Sequence, residues 1–137
     1  MRVIFAKDRR PISLLIRLVT WSRWHHCAAI TPDNKFVIEA KGGVGVVRTP
    51  LAEFKSRYKH TAIAVIDCHD QVAFDFLNKQ VSKDYDLKAI FGILFRTSWD
   101  HGDKWFCSEL VAKASGKFRN ERMSRVTPEH LWMISHD

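Results

Sequence analysis

The residue with the clearest chemical potential is Cys107, at the centre of the run DKWFCSELVAKA over positions 103–114. The composition after this cysteine is typical of a helix, with Leu110, Val111 and Ala114 on one side of a 3.6-residue repeat. A helix beginning near Cys107 would bring free backbone N–H groups and the positive end of the helix dipole to its sulfur. Both favour the thiolate, which is the nucleophilic form. Taken alone, the stretch favours a small buried apolar residue at a helix start over a catalytic cysteine, because free cysteine is commonly a core residue.

A cysteine nucleophile needs a nearby imidazole, and the imidazole needs a third group that holds its tautomer. His25 and His26 lie together on a predicted strand, where alternation should point them to opposite faces. The predicted return strand ends in Glu39, and a turn at 32–34 should bring Glu39 nearly opposite His26. A carboxylate facing an imidazole is a ready orienting pair, although an exposed glutamate beside a packed histidine fits as well. Of the other histidines, His60 is undecided and the rest are expected in solvent: His69, His101, His130 and His136.

The remaining patterns predict one α+β domain over residues 1–137, with most strands in the first half and most helices in the second. Strands are predicted at 3–6, 24–31, 35–40, 44–47 and 60–66, the last as a central strand. Helices are predicted at about 11–21, 51–58, 70–81, 87–95 and 107–114, and the polar run 96–104 should be a loop. Gly42 and Gly43 should form a turn. The helix at 70–81 should bury Val72, Phe76, Leu77 and Val81. A last helix should have Thr127 as N-cap, Pro128 at its first position and Leu131 facing inward.

Composition indicates the cellular compartment and the kind of partner to expect for this domain. The three cysteines at 27, 68 and 107 are odd in number and form no C-x-x-C pair, which argues against a disulfide scaffold and for a reducing compartment. The net charge of +7 favours an anionic partner such as a cell wall, an acidic membrane face or nucleic acid. No run has the pattern of a signal peptide or a membrane span, so a cytoplasmic location is expected. A cell-wall substrate would then require release by lysis, as for a phage-type gene.

Several sequence runs, in order, resemble one protein family. They are SLLIR followed by WSRWHHCA (13–28), VIEA with GGV (37–44), DYDL with a later glycine (84–92), FCSELV (106–111) and TPEHL (127–131). Together they resemble the circularly permuted members of the NlpC/P60 superfamily of papain-like cysteine hydrolases. That group includes YiiX-like proteins and lecithin:retinol-acyltransferase-like enzymes. In the permuted members the histidine strand precedes the cysteine helix, as in this chain.

The resemblance implies a papain-like α+β fold, with a small antiparallel sheet against helices and the nucleophile at a helix N-terminus. By the match, Cys107 is the nucleophile, His26 the base and Glu39 the orienting group, with His25 the alternative base. Cys27 and Cys68 match no catalytic position and are interpreted as packing residues. The expected remainder of the site is the backbone N–H of Cys107 as oxyanion donor and an approach lined by Tyr85, Trp105 and Phe106.

The implied chemistry is acyl transfer through a thioester, without metal or cofactor. The implied substrates are peptides or other amides, cell-wall peptides among them, or lipid esters. Two other classes of function remain open, a catalytically silent binding module and a nucleic-acid binder. Nucleic-acid binding would weaken steeply with salt and would survive replacement of Cys107. A zinc site made of His25, His26, Cys68 and His69 is disfavoured because it lacks ligand-pair spacing.

Overall fold

The computed structural model describes residues 1–41, 44–81, 105–119 and 126–137. Their strands are β1 (Arg2–Lys7), β2 (His26–Ile30), β3 (Phe36–Lys41), β4 (Gly45–Pro50) and β5 (His60–Val65). Their helices are α1 (Pro11–Thr20), α2 (Leu51–Arg57), α3 (Asp70–Val81), α4 (Trp105–Ser115) and α5 (Pro128–Met133). The predicted turn at 42–43, helix at 87–95 and loop at 96–104 lie outside the described residues. Within them, no helix combines the length and apolarity needed to cross a bilayer.

One five-stranded sheet in the order β4-β3-β2-β1-β5 organises the fold, and each neighbouring pair is antiparallel. The α+β class predicted from the sequence is confirmed. The prediction that 60–66 is a central strand is wrong, because β5 lies at an edge. Beyond it, the described residues offer only an isolated bridge from Val65 to His136. β1 lies inside the sheet, with Val3, Ile4 and Phe5 all fully buried.

Helices cover both faces of this sheet. On one face α4 packs against β2 and β3, and α3 packs against α4. On the other face α2 inserts Phe54 among Ile4, Ala28, Ile30 and Val37. Residues of β2 alternate between the two layers, so Ala28 faces α2 while Cys27 and Ala29 face α4. Successive side chains of β2 therefore pack alternately against α2 on one face of the sheet and against α4 on the other.

Helices α3 and α4 test the predicted buried faces. α4 buries Leu110, Val111 and Ala114, as predicted. α3 buries Ala73, Phe74 and Leu77, whereas Val72 is 66% exposed. The predicted face of α3 was therefore wrong for Val72. The small Ala73 side chain, 1% exposed, lies in the core in its place.

The predicted start of the last helix is confirmed in detail. The Thr127 hydroxyl accepts the backbone N–H of His130, and the His130 ring accepts the backbone N–H of Thr127 at 3.0 Å. Pro128 occupies the first turn and Leu131 is fully buried. The Glu129 carboxylate accepts the backbone N–H of Arg23 at 2.6 Å, which ties α5 to the segment before β2.

Candidate active site

The candidate site lies where β2 and β3 separate. These strands pair only through Ala29 with Ile38 and Ile30 with Val37. Continuing that register places Glu39 across from Ala28, so Glu39 is diagonal to His26 on the same face. The predicted position, nearly opposite His26, was off by two residues. The side chains nevertheless meet, because the His26 Nε2–H donates to Glu39 Oε2 at 2.8 Å.

Glu39 is held as a carboxylate. Its side chain is 1% exposed, and its Oε1 accepts hydrogen bonds from Thr49 Oγ1 at 2.7 Å and from Arg57 Nη2. Burial raises the pKa of this carboxyl, but the hydrogen bonds from His26, Thr49 and Arg57 outweigh burial and lower the pKa to about 2. A negative charge therefore persists beside His26 at neutral pH.

Cys107 lies in the first turn of α4, only 1% exposed, where backbone N–H groups have no intrahelical acceptor. Its sulfur is in hydrogen-bonding contact with the His26 ring and with Cys27. The hydrogen bond from Cys27 lowers the pKa of the Cys107 thiol; burial raises it, and the positive charge of His26 lowers it further, to well below its ordinary range.

The negative charge of Cys107 in turn stabilises the positive charge of His26. Burial lowers the pKa of His26, yet the Cys107 and Glu39 charges and hydrogen bonds raise it to about 9. Because Nε2 is engaged by Glu39, Nδ1 is the ring nitrogen left for the sulfur. The arrangement is a thiolate–imidazolium pair backed by a carboxylate, which suits nucleophilic attack followed by proton delivery.

Residues of α2, with Tyr58 at its C-cap, form a wall behind His26 that the sequence patterns did not predict. The Phe54 ring stacks on the His26 ring with centroids 5.6 Å apart and planes 22° apart, and the Tyr58 ring lies at 5.7 Å. The Arg57 guanidinium lies over Phe54, 5.3 Å from its ring centroid. The available signal was the spacing of Phe54 and Arg57, three residues apart on one face of a helix that Tyr58 directly follows.

His25 occupies a different position from that predicted. β2 begins at His26, so strand alternation does not extend to His25, and both rings approach Tyr58. The His25 Nε2 lies 3.9 Å from Asp8 Oδ2. The prediction of opposite faces was therefore wrong. It is His26 that contacts Glu39 and Cys107.

The other two cysteines, Cys27 and Cys68, differ in burial and in what they contact. Cys27 is fully buried, and its thiol contacts the Cys107 sulfur, while Cys68 is partly exposed and lies 3.7 Å from Asp70 Oδ1. Across residues 1–41, 44–81, 105–119 and 126–137, no three His, Cys, Asp or Glu side chains are grouped to hold a metal ion. Tyr85 and the side chains of Trp105 and Phe106 lie outside what the structure describes.

Comparison with known proteins assigns the chain to a family. A family model described as permuted papain-like amidase enzyme, YaeF/YiiX, C92 family, matches residues 2–125. No protein with a curated description matches. The crystal structure of metalloprotein yiiX from Escherichia coli O157:H7 is similar at 25% identity and a TM-score of 0.56, over 82% of this chain and 62% of that one. This chain thus spans about three fifths of that protein. With the papain-like expectation met in sequence and in fold, the chain belongs to the YaeF/YiiX (C92) family of permuted papain-like amidases.

Proposed function

We propose that this protein cleaves an amide by acyl transfer through a thioester on Cys107. In this proposal His26 moves the protons and Glu39 orients the His26 ring. The single observation that supports it most is the continuous buried contact from Cys107 through His26 to Glu39. Amide cleavage rather than another acyl chemistry follows the family to which the chain belongs.

The reaction divides into two steps. In the first, the Cys107 thiolate forms a bond to the carbonyl carbon while the carbon–nitrogen bond breaks, and the imidazolium of His26 gives its proton to the leaving amine. In the second, neutral His26 takes a proton from water, whose oxygen bonds to the acyl carbon and displaces the thiolate as a carboxylic acid is released. The backbone N–H of Cys107, at the start of α4, is the proposed donor to the oxyanion.

The proposed substrate is a peptide amide of the cell-wall type. The net charge of +7 would favour encounter with an anionic wall polymer. Charge affects the encounter only, so this part of the proposal is tested separately from the chemistry. Wall fragments and neutral peptides of the same length should differ in kcat/KM, and the difference should shrink as salt is raised.

A lipid substrate is the second candidate, and α1 is the observation that favours it. Leu14, Leu18 and Trp21 follow one another at helical spacing and are 47%, 75% and 92% exposed. Arg10 lies at the start of the same helix with an exposed side chain. α1 connects β1 to β2, the strand that begins at His26. Apolar side chains flanked by arginine fit an anionic lipid surface.

Vesicle binding separates the two substrate classes. If α1 docks on lipid, vesicles of phosphatidylglycerol should bind the protein more tightly than vesicles of phosphatidylcholine, and Leu18→Ser with Trp21→Ser should abolish the difference. Val72→Ser, at an equally exposed apolar residue on α3, is the matched control. Equal binding of both lipids by all variants would eliminate the lipid candidate.

The chemistry is tested by trapping the thioester. An aminocoumarin amide panel and p-nitrophenyl butyrate would be offered to the protein, the reaction quenched in acid, and the intact mass measured. We expect one acyl group per chain, located on the Cys107 peptide and absent in Cys107→Ala and in His26→Ala. Cys68→Ser, which alters a cysteine remote from His26, should be acylated normally. Acylation that persists in Cys107→Ala would refute the proposal.

A further inference from the structure

Cys27 contacts the sulfur of the candidate nucleophile, Cys107, through two groups. Its thiol and its backbone N–H both form hydrogen bonds with the Cys107 sulfur. The two residues are 0% and 1% exposed, in β2 and in the first turn of α4. Cys27 also directly follows His26, so consecutive residues of one strand contact the same sulfur from the two layers of the fold.

The opening between β2 and β3 explains this convergence. The ladder between these strands reaches only Ala29 and Ile30, so the backbone at Cys27 is not paired to β3. The N–H of Cys27 is therefore available to the sulfur that packs at the opening. A buried charge without hydrogen bonds is costly, and each donor at the thiolate reduces that cost.

Cys27 itself is suited to remain a donor. Burial raises the pKa of its thiol well above the ordinary value of 9.0, and the hydrogen bond to Cys107 raises it further. The proton therefore stays on Cys27 while Cys107 is ionised. An S–H group is a weak donor, but hydrogen bonds are electrostatically stronger in a buried, low-dielectric site than in water.

We infer that Cys27 is a positioning residue whose S–H and N–H hold the Cys107 sulfur as a thiolate beside His26. This inference rests on the proposed function, because it presumes that the Cys107 thiolate is the nucleophile. It replaces the interpretation of Cys27 as a packing residue only. Packing alone predicts that changes at Cys27 alter stability and leave the ionisation of Cys107 as it was.

The test follows alkylation of each cysteine by iodoacetamide from pH 4 to 10, with a phosphine reductant present, and reads the sites by peptide mass spectrometry. In Cys27→Ala the midpoint for Cys107 should rise by about one pH unit, which lowers its alkylation rate about tenfold at a pH below both midpoints. Cys27→Ser keeps a hydroxyl donor and should restore the rate to within about twofold, since O–H donates at least as well as S–H. Cys68→Ala should leave Cys107 unchanged.

Two outcomes overturn the inference. One is an unchanged Cys107 midpoint in folded Cys27→Ala, and the other is a raised midpoint in Cys27→Ser. If Cys27→Ala does not fold, a raised midpoint in Cys27→Ser still overturns the inference. His26→Ala separates this inference from the proposed function. A midpoint that His26→Ala leaves unchanged refutes the ion pair itself, whereas one raised by His26→Ala and unaffected by Cys27→Ala refutes only the role of Cys27.

Discussion

At the scale of residues, the site is a row of alternating charges. The Cys107 thiolate, the His26 imidazolium, the Glu39 carboxylate and the Arg57 guanidinium follow one another through direct contacts. Each buried charge therefore has an opposite charge beside it, which is the condition under which buried ions are tolerated. Removing one member leaves its neighbours uncompensated, so single changes should affect proton transfer more than binding.

The pH dependence of amide cleavage should show an alkaline limit set by His26. Because the pKa of His26 is raised to about 9, the imidazolium that protonates the leaving amine persists up to that pH. We expect kcat/KM for an aminocoumarin amide to fall about tenfold per pH unit above 9. Alkylation of Cys107 needs no proton donor and should not fall there. Amide cleavage that keeps rising to pH 11 would contradict this assignment.

Replacing Glu39 by glutamine should remove the charge that supports His26. The amide keeps the shape of the side chain, but the electrostatic contribution of Glu39 to the raised pKa of His26 is lost. We expect kcat/KM to fall on the order of a hundredfold and the alkaline limit to move below pH 9. Glu53→Gln, on the exposed side of α2, is the matched control. An unchanged limit in Glu39→Gln would show that Glu39 does not act on His26.

At the scale of elements, every member of the row comes from a different one. α4 supplies Cys107, β2 supplies His26, β3 supplies Glu39 and α2 supplies Arg57. The site therefore depends on how α2 and α4 are held on opposite faces of one sheet. The Ser108 hydroxyl, which donates to the carbonyl of Val126 at 2.6 Å, also links the start of α4 to the segment before α5.

The α2 wall should matter more for activity than for stability. Phe54→Leu keeps an apolar side chain in the core but removes the ring stacked on His26, so we expect a loss of about 1 kcal/mol in the free energy of unfolding and a kcat/KM at least tenfold lower. Phe36→Leu is the matched control, because Phe36 also lies beneath an arginine, Arg48, but on β3. Urea unfolding and amide kinetics would be measured on both. Equal kinetic effects of the two changes would contradict a role for the wall.

The cap of α5 should contribute to stability through a local hydrogen bond. Thr127→Ala removes the acceptor of the His130 N–H and should lower the free energy of unfolding by about 1 kcal/mol. Thr127→Ser retains the hydroxyl and should recover most of that loss. Urea unfolding of the original protein and the two variants measures these differences in the free energy of unfolding. A Thr127→Ala protein as stable as the original would mean that the capping box contributes nothing.

At the scale of the whole molecule, the charges of the site link its chemistry to folding. Glu39 has a pKa of about 2 when folded against an ordinary 4.5, so its stabilisation is present above pH 4.5 and is lost as pH falls toward 2. The raised pKa of His26 gives stability that is lost as pH rises from 6.5 through 9. The lowered pKa of Cys107 gives stability that grows as pH rises from that lowered pKa to the ordinary value of 9.0, and so throughout the range from 6.5 to 9. These two opposite trends should cancel.

The free energy of unfolding should therefore change little between pH 6.5 and 9 through this pair. It should fall below pH 6.5 as the Cys107 contribution is lost, and fall further below pH 4.5 as the Glu39 contribution is lost. In Glu39→Gln the acid fall should shrink by up to about 3 kcal/mol, because the pKa shift of Glu39 is absent. Urea unfolding at fixed ionic strength across pH 2.5 to 9 measures both effects. Acid falls of the same size in the two proteins would show that Glu39 is not stabilised by its partners.

Much of this architecture follows from local rules in the sequence. Composition and turn signals located every described strand and helix to within a few residues, because propensity, caps and periodicity act over short distances. The cap at Thr127 and the buried face of α4 were predicted for the same reason. Motif order was enough to indicate the family.

Other features exist only in the tertiary structure, because they depend on contacts between distant segments. The edge position of β5 depends on β1 lying between it and β2, and no local pattern records that order. The diagonal placement of Glu39 relative to His26 follows from the register in which β3 pairs with β2. The approach of Cys27 to Cys107, 80 positions away, arises because α4 packs on β2. Local patterns were thus enough to predict the elements and the candidate residues, whereas long-range packing sets the partners of the Cys107 sulfur.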